Sequence, residues 1–150
     1  MKRFKGVLIV LFIALAGMQF IPANSNQDTS TPSADFIKTF DPPIEVALIL
    51  KKSCYDCHSN NTRYPWYGHI QPVKWYLEKH VSGGKSELNF NEFASWSLRK
   101  QRNKLESMIH QIEQDEMPLT SYTWMHADAQ ISPEKNSLIV GYLTTLHDNL

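Results

Sequence analysis

Apolar residues recur along this chain with the period of a helix, and no segment shows sustained period-two alternation. After Pro42 and Pro43, IEVALILKKSCYDCHS places Val46, Leu50, Cys54 and Cys57 at helical spacing, with Ala47 and His58 beside them. Proline near the first turn suits a helix start, so a helix is predicted from about Ile44 to His58. SNNTRYPWYGHI carries Asn, Pro and Gly punctuation without a period and reads as an aromatic loop. In PVKWYLEKHVSGG, residues Val73, Tyr76, Leu77, His80 and Val81 share one helical face. Gly83 is the expected stop, because helices often end on a glycine with positive φ. A third helix is predicted over roughly Ser97 to Glu116, with Leu105, Met108, Ile109 and Ile112 as its stripe and Arg99, Arg102 and Lys104 facing water. MPLTSYTWMHADAQ reads as a second loop. Ser132 as N-cap and Pro133 at the first helical position open the last helix, which carries Leu138, Ile139, Tyr142, Leu143 and Leu146 on one face. The expected fold class is therefore all-α.

The N-terminus follows a different rule. MKRFK is basic, and residues 6–21, GVLIVLFIALAGMQFI, are apolar except for Gln19. A basic start followed by such a run is an export signal whose positive end stays in the cytoplasm. Ala14-Leu15-Ala16 forms an A-x-A cleavage site, but the apolar run continues through Phe20 and Ile21. The run is slightly short for a span, although Lys2, Arg3 and Lys5 can snorkel at one end. We read residues 1–21 as a retained membrane anchor, with a cleaved signal peptide as the alternative. Either fate puts the rest of the chain in the periplasm or facing it. No cysteine follows the run, which excludes a lipid-modified N-terminus. Residues 22–41 are rich in proline and small polar residues and read as a linker, touching the domain through Phe36, Ile37 and Phe40. The domain is expected over residues 42–150.

Composition narrows the choices. With 150 residues and 42% hydrophobic content, the chain can build one domain with a modest core. Lysine plus arginine equals aspartate plus glutamate, 15 each, so there is no basic footprint for nucleic acid. Two cysteines cannot frame a disulfide scaffold.

Both cysteines lie in SCYDCH. On a helix, positions i, i+3 and i+4 share a face, so Cys54, Cys57 and His58 point the same way. Two thiols and an imidazole on one short surface suit a large planar group held at two edge points, with an iron reached by the imidazole. C-x-x-C-H reads as a c-type haem attachment. A structural zinc site needs four ligands, and no second close-spaced pair exists, since His69 and His80 are isolated. A thioredoxin-like pair would sit near a βαβ pattern, which is absent. A plain disulfide is the remaining bland alternative. The adjacent histidine and the export signal favour one covalent haem c.

CYDCHSN followed by RYPWY, then IQPV, HV-x-x-G, LNF and EMPLTSYTWMHADAQIS, resembles the bacterial haem-binding domain family of small single-haem, cytochrome c-like proteins. The resemblance covers about residues 41–149. It implies a haem attached outside the cytoplasmic membrane by thioether bonds from Cys54 and Cys57, with His58 as the proximal iron ligand.

The opposite face of the iron is open to Met108, Met117, Met125, His126 and His80. Met108 lies in a helical stripe, where methionine is usually a core filler. Met117 leaves its helix in EMPL, and Pro118 prevents helical continuation, so a stiff loop can present its sulfur to iron. Met117 is the preferred ligand and His126 the alternative, although His126 more often than not would simply tie its own loop. His80 reads as a satisfied core histidine. Tyr64, Trp66, Tyr67, Trp75 and Trp124 are candidate walls, being flat and apolar with polar handles. Arg63 is a candidate partner for a haem propionate.

The leading expectation is an electron carrier of the cell envelope serving unidentified redox proteins, and not an enzyme. No Ser/His/Asp set, paired carboxylates or phosphate loop supports other catalysis. The rivals are a five-coordinate haem sensor or weak peroxidase, and a haem-free thiol-redox or assembly protein at the membrane.

Overall fold

A computed structural model describes residues 2–150; Met1, the first residue of the segment read as an export signal, lies outside the described residues. The described residues form helices joined by turns, with no strand, only an isolated bridge between Gln27 and Asn61. The helices are α1 (Lys2–Met18), α2 (Phe36–Phe40), α3 (Ile44–Ser53), α4 (Tyr55–His58), α5 (Val73–Glu87), α6 (Leu98–Glu113), α7 (Thr120–Met125) and α8 (Pro133–Asn149). Short 3₁₀ turns occupy Trp66–His69, Phe93–Ser95 and Ala127–Ala129. The all-α expectation holds.

The core sits where α3, α6 and α8 meet. Val46 and Leu50 from α3, Leu105 from α6, and Ile139 and Leu143 from α8 are fully buried. Each such side chain contributes about 1.5–3 kcal/mol through removal from water. Ser97 and Ser132 cap α6 and α8 by accepting from the Lys100 and Lys135 amides. Those caps satisfy orphan N–H groups and set where the two amphipathic helices begin.

Four boundaries differ from the sequence expectation. The expected linker is part of the domain. Phe36 is fully buried and packs against Phe40, Phe90 and Phe93 at centroid distances of 5.0–5.5 Å. Asp35 caps α2 at the Lys38 amide and also accepts from the Tyr55 hydroxyl and the Asn91 amide. Further upstream, Asn26 donates to the Ser59 carbonyl and the Thr62 hydroxyl, while its side-chain oxygen accepts from Lys85. Gln19 and Gln71 exchange a pair of hydrogen bonds, and Lys74 donates to the Ala23 carbonyl. The polar composition that suggests a flexible tether here supplies specific partners instead.

The predicted helix over Ile44–His58 bends at Cys54, whose φ of −126° separates α3 from α4. Tertiary contacts draw the last turn away from the α3 axis. The Tyr55 ring stacks on Phe90 at 4.8 Å, and the His58 carbonyl accepts from the Phe90 amide. The next helix does not stop at Gly83 but runs through Gly83 and Gly84 to Glu87, and among the described residues no glycine has positive φ. Gly84 is there for proximity. A Cβ at that position would lie 2.8 Å from the Cys57 carbonyl oxygen. Finally, α6 ends at Glu113, because Asp115 takes a left-handed φ of 56° and turns the chain out. The second predicted loop then contains α7.

The apolar N-terminal segment forms α1 with its apolar side chains exposed, Phe12 being 73% accessible. Among the described residues no helix is long and apolar enough to cross a membrane.

Candidate cofactor site

α4 and α5 define one wall of a cavity of about 490 Å³. That volume falls within the range of about 300–1,000 Å³ common for ligand pockets. Cys54, Cys57 and His58 all line it. The bend at Cys54 does not scatter them, because the Cys54 carbonyl still accepts from the Cys57 and His58 amides at 3.2 and 3.0 Å. One helical turn therefore survives across the motif.

His58 is oriented by backbone. Its Nδ1 lies 2.9 Å from the Gly84 carbonyl oxygen and 3.1 Å from that of Leu88. A carbonyl can only accept, so Nδ1 carries the hydrogen and Nε2 keeps its lone pair. The close α4–α5 approach allowed by Gly84 brings its carbonyl to the ring. Burial holds the imidazole below its ordinary pKa, against the two carbonyl bonds, which act the other way. A neutral imidazole fixed through Nδ1 is the form that binds a metal through Nε2.

The thiols are free and lie in apolar surroundings. Burial, with Cys57 adding to it, pushes Cys54 up to about 12. Burial followed by the charge of Asp56 pushes Cys57 up to about 11. Reactive redox cysteines have depressed pKa values, so this pair is built differently from a thioredoxin-type centre. Among the described residues, no group of three or more His, Cys, Asp or Glu side chains is placed to hold a metal ion. Cys54, Cys57 and His58 on one cavity suit a group held by two sulfurs and one imidazole.

Met117 lines the same cavity. The turn after α6 places it there: the Glu116 and Met117 amides both donate to the Gln111 carbonyl. Met108 also reaches the cavity from α6 and is nearly buried, as a core filler would be. His80 departs from expectation. It is half-buried at the cavity wall, with Nδ1 donating to the Tyr76 carbonyl of its own helix. His126 is not a lining residue; it donates to the Tyr122 carbonyl and stacks on the Tyr122 ring at 4.3 Å. Met125 is 62% exposed.

The expected walls are misplaced. Arg63, Tyr64, Trp66, Tyr67, Trp75 and Trp124 do not line the cavity. Arg63 is committed to Asp56, with Nε to Oδ1 and Nη2 to Oδ2, both at 3.2 Å. The Tyr64 hydroxyl accepts from the Asn26 amide. Trp66 and Trp124 are 77% and 85% exposed. Leu88, Phe90, Ile112, Leu119 and Tyr122 form the walls instead, and the cations at the cavity are Lys79 and Lys104, the latter 3.4 Å from the Glu87 carboxylate. The tertiary fold brings these residues together from α5 and the turn after it, from α6, and from the segment around α7. Lys79 and Lys104 carry no local sequence signal, although both fall on helices flanking the cavity.

These features define a helical protein with a thiol–thiol–imidazole face on an apolar cavity. Residues 13–145 match the haem-binding domain family, and the chain belongs to it. No curated protein and no solved structure matches the chain. The residues fit a haem: the Cys54–Cys57 spacing suits covalent attachment and His58 presents a neutral nitrogen.

Proposed function

We propose that the chain is an electron carrier of the cell envelope that holds one haem c. The observation that carries this reading is the fixing of His58 through Nδ1 on a cavity shared with Cys54, Cys57 and Met117. Each thiol would add across one haem vinyl group, sulfur bonding to carbon and the thiol hydrogen passing to the neighbouring carbon, so no oxidant is needed. His58 would ligate through Nε2 as the proximal residue. Met117 would ligate through sulfur, and its short turn from α6 limits how far it can retreat. Lys79 and Lys104 would pair with the propionates. The bound group would supply a one-electron couple, whose potential methionine ligation raises. The mainly apolar lining would cover the faces of the bound group. The export segment at residues 1–21 supports a periplasm-facing location, and redox proteins are the partners.

The test is expression with the haem attachment machinery, followed by haem staining of a denaturing gel. Stain at the position of the chain is expected; loss of haem on denaturation would show that attachment is not covalent. The ferric protein should then show the far-red sulfur-to-iron band, and Met117→Ala should abolish it. An unchanged spectrum in that variant removes Met117 from the ligand set. A sensor or peroxidase would instead bind carbon monoxide rapidly in the reduced wild type. Because His80 lines the cavity, a missing far-red band together with a spectral change in His80→Ala would make the iron bis-histidine.

A further inference from the structure

The segment that follows Met117 has almost no core of its own. α7 has only six residues, and none of them is buried. A single isolated turn and a half of helix does not persist in water. Something other than apolar burial must hold it over the cavity. The polar contacts of Asp56 provide the candidate.

Asp56 is one of the two residues between the cysteines, and it is 6% exposed. It is not among the cavity-lining residues. Its Oδ1 accepts from the Arg63 amide and Nε, both at 3.2 Å. Its Oδ2 accepts from Arg63 Nη2 at 3.2 Å and from the Tyr122 hydroxyl at 2.7 Å. The Tyr122 ring lines the cavity. One tyrosine thus touches both the cofactor space and the attachment turn. Two further ties lie beside it. Ser53 donates to the Ala129 carbonyl at 2.8 Å, and Lys52 lies 3.7 Å from Asp128.

We propose that Asp56 and Tyr122 are positioning residues that clasp the segment running from Met117 through α7 to the attachment turn, keeping the distal iron ligand seated. The proposal rests on the reading of Met117 as that ligand. Within C-x-x-C-H, the intervening aspartate then has a task of its own. The cysteines and histidine hold one side of the haem, while Asp56 reaches around to secure the other. Arg63 serves the clasp by orienting the carboxylate, so that a lone pair of Oδ2 faces Tyr122. Hydrogen bonds to a carboxylate are stronger than neutral ones, and the short distance here is of that kind.

The test uses the full haem-loaded chain and Tyr122→Phe, which keeps the ring and removes only the hydroxyl. Two measurements are made in the ferric protein: the rate of imidazole binding, which is limited by departure of the distal ligand, and hydrogen exchange of the backbone amides over residues 120–126. In the variant, imidazole should bind about tenfold faster, the equivalent of losing one charge-assisted hydrogen bond. Exchange over 120–126 should also quicken, with α6 and α8 unchanged. Asp56→Asn, which retains an acceptor for Tyr122, should fall between wild type and Tyr122→Phe. Unchanged exchange across 120–126 overturns the clasp whatever the distal ligand is. Faster exchange with unchanged imidazole binding overturns the positioning role. A wild-type spectrum lacking the sulfur-to-iron band refutes Met117 as the ligand, and the exchange measurement still decides the clasp.

Discussion

Gly84→Ala should separate packing against the attachment turn from ordinary helix propensity. Gly84 lies inside α5 with no positive φ, so the backbone itself accepts alanine. Taken alone, the change would stabilise the helix by about 1 kcal/mol. The new methyl, however, would sit 2.8 Å from the Cys57 carbonyl oxygen and 3.4 Å from the Cys57 carbonyl carbon and Cβ. The oxygen belongs to backbone, so no flexible side chain can move aside. Overpacking of this kind costs about 1–3 kcal/mol. Any withdrawal of α5 also lengthens the His58 Nδ1 bond to the Gly84 carbonyl, now 2.9 Å, at a cost of about 1 kcal/mol. The net is a loss of about 1–3 kcal/mol. At a urea dependence of about 2 kcal/mol per molar, the midpoint should fall by roughly 1 M. Gly141→Ala is the control. It lies in α8, exposed, with nothing within 4 Å of an added Cβ, and should gain about 1 kcal/mol. The assay is urea unfolding of the haem-loaded protein followed by far-ultraviolet circular dichroism. If Gly84→Ala stabilises as much as Gly141→Ala, close approach of α4 and α5 is not what fixes residue 84 as glycine, and the account of how His58 is oriented fails with it.

Other expectations can be checked alongside. Asn26→Ala removes bonds to Ser59, Thr62 and Lys85 and should cost about 1–3 kcal/mol in the same unfolding assay, whereas a true tether residue would cost nothing. In the haem-free protein the thiols should resist alkylation. Their folded values of about 12 and 11 put thiolate formation well above the usual range near 9, so the iodoacetamide rate should stay low at pH 8 and climb only as pH rises toward 11. A rate at pH 8 equal to that of the urea-unfolded chain would refute this. Lys79→Gln and Lys104→Gln should each shift the midpoint potential, while Arg63→Gln, whose guanidinium is held on Asp56 outside the cavity, should shift it less. Equal shifts in a potentiometric titration would contradict that assignment.

The thiol–thiol–imidazole face was legible because one turn of helix encodes it. Cys54, Cys57 and His58 lie within five residues, and a bend at Cys54 leaves their mutual spacing intact. The exit of the chain from α6 near Met117 was legible for a similar reason, since the proline after it marks where α6 cannot continue. The walls were not legible. Trp66 and Trp124 look like pocket residues by type, but their rings lie at the surface, and the sequence near them does not say which face the loop presents. The glycines misled for a physical reason. A glycine can end a helix or let two backbones meet, and only the presence of Cys57 across the gap shows which applies at Gly84. The segment before Pro42 has the composition of a linker because its stabilising bonds are polar. Asn26 and Asp35 are ordinary linker residues until Thr62, Lys85, Tyr55 and Asn91 come within reach.

The bonds made by Gln19, Ala23 and Asn26 bear on direction as well as on stability. A free flexible chain from Gln19 to Asn26 would let its ends sample separations of about 15 Å and any relative rotation. Fastened at three points to Gln71, Lys74 and the loop after α4, the same residues act as a bracket. The heading of the cavity beside α4 and α5 relative to the axis of α1 is then a property of the fold. A surface that captured α1 would thereby set the compass bearing of the cavity.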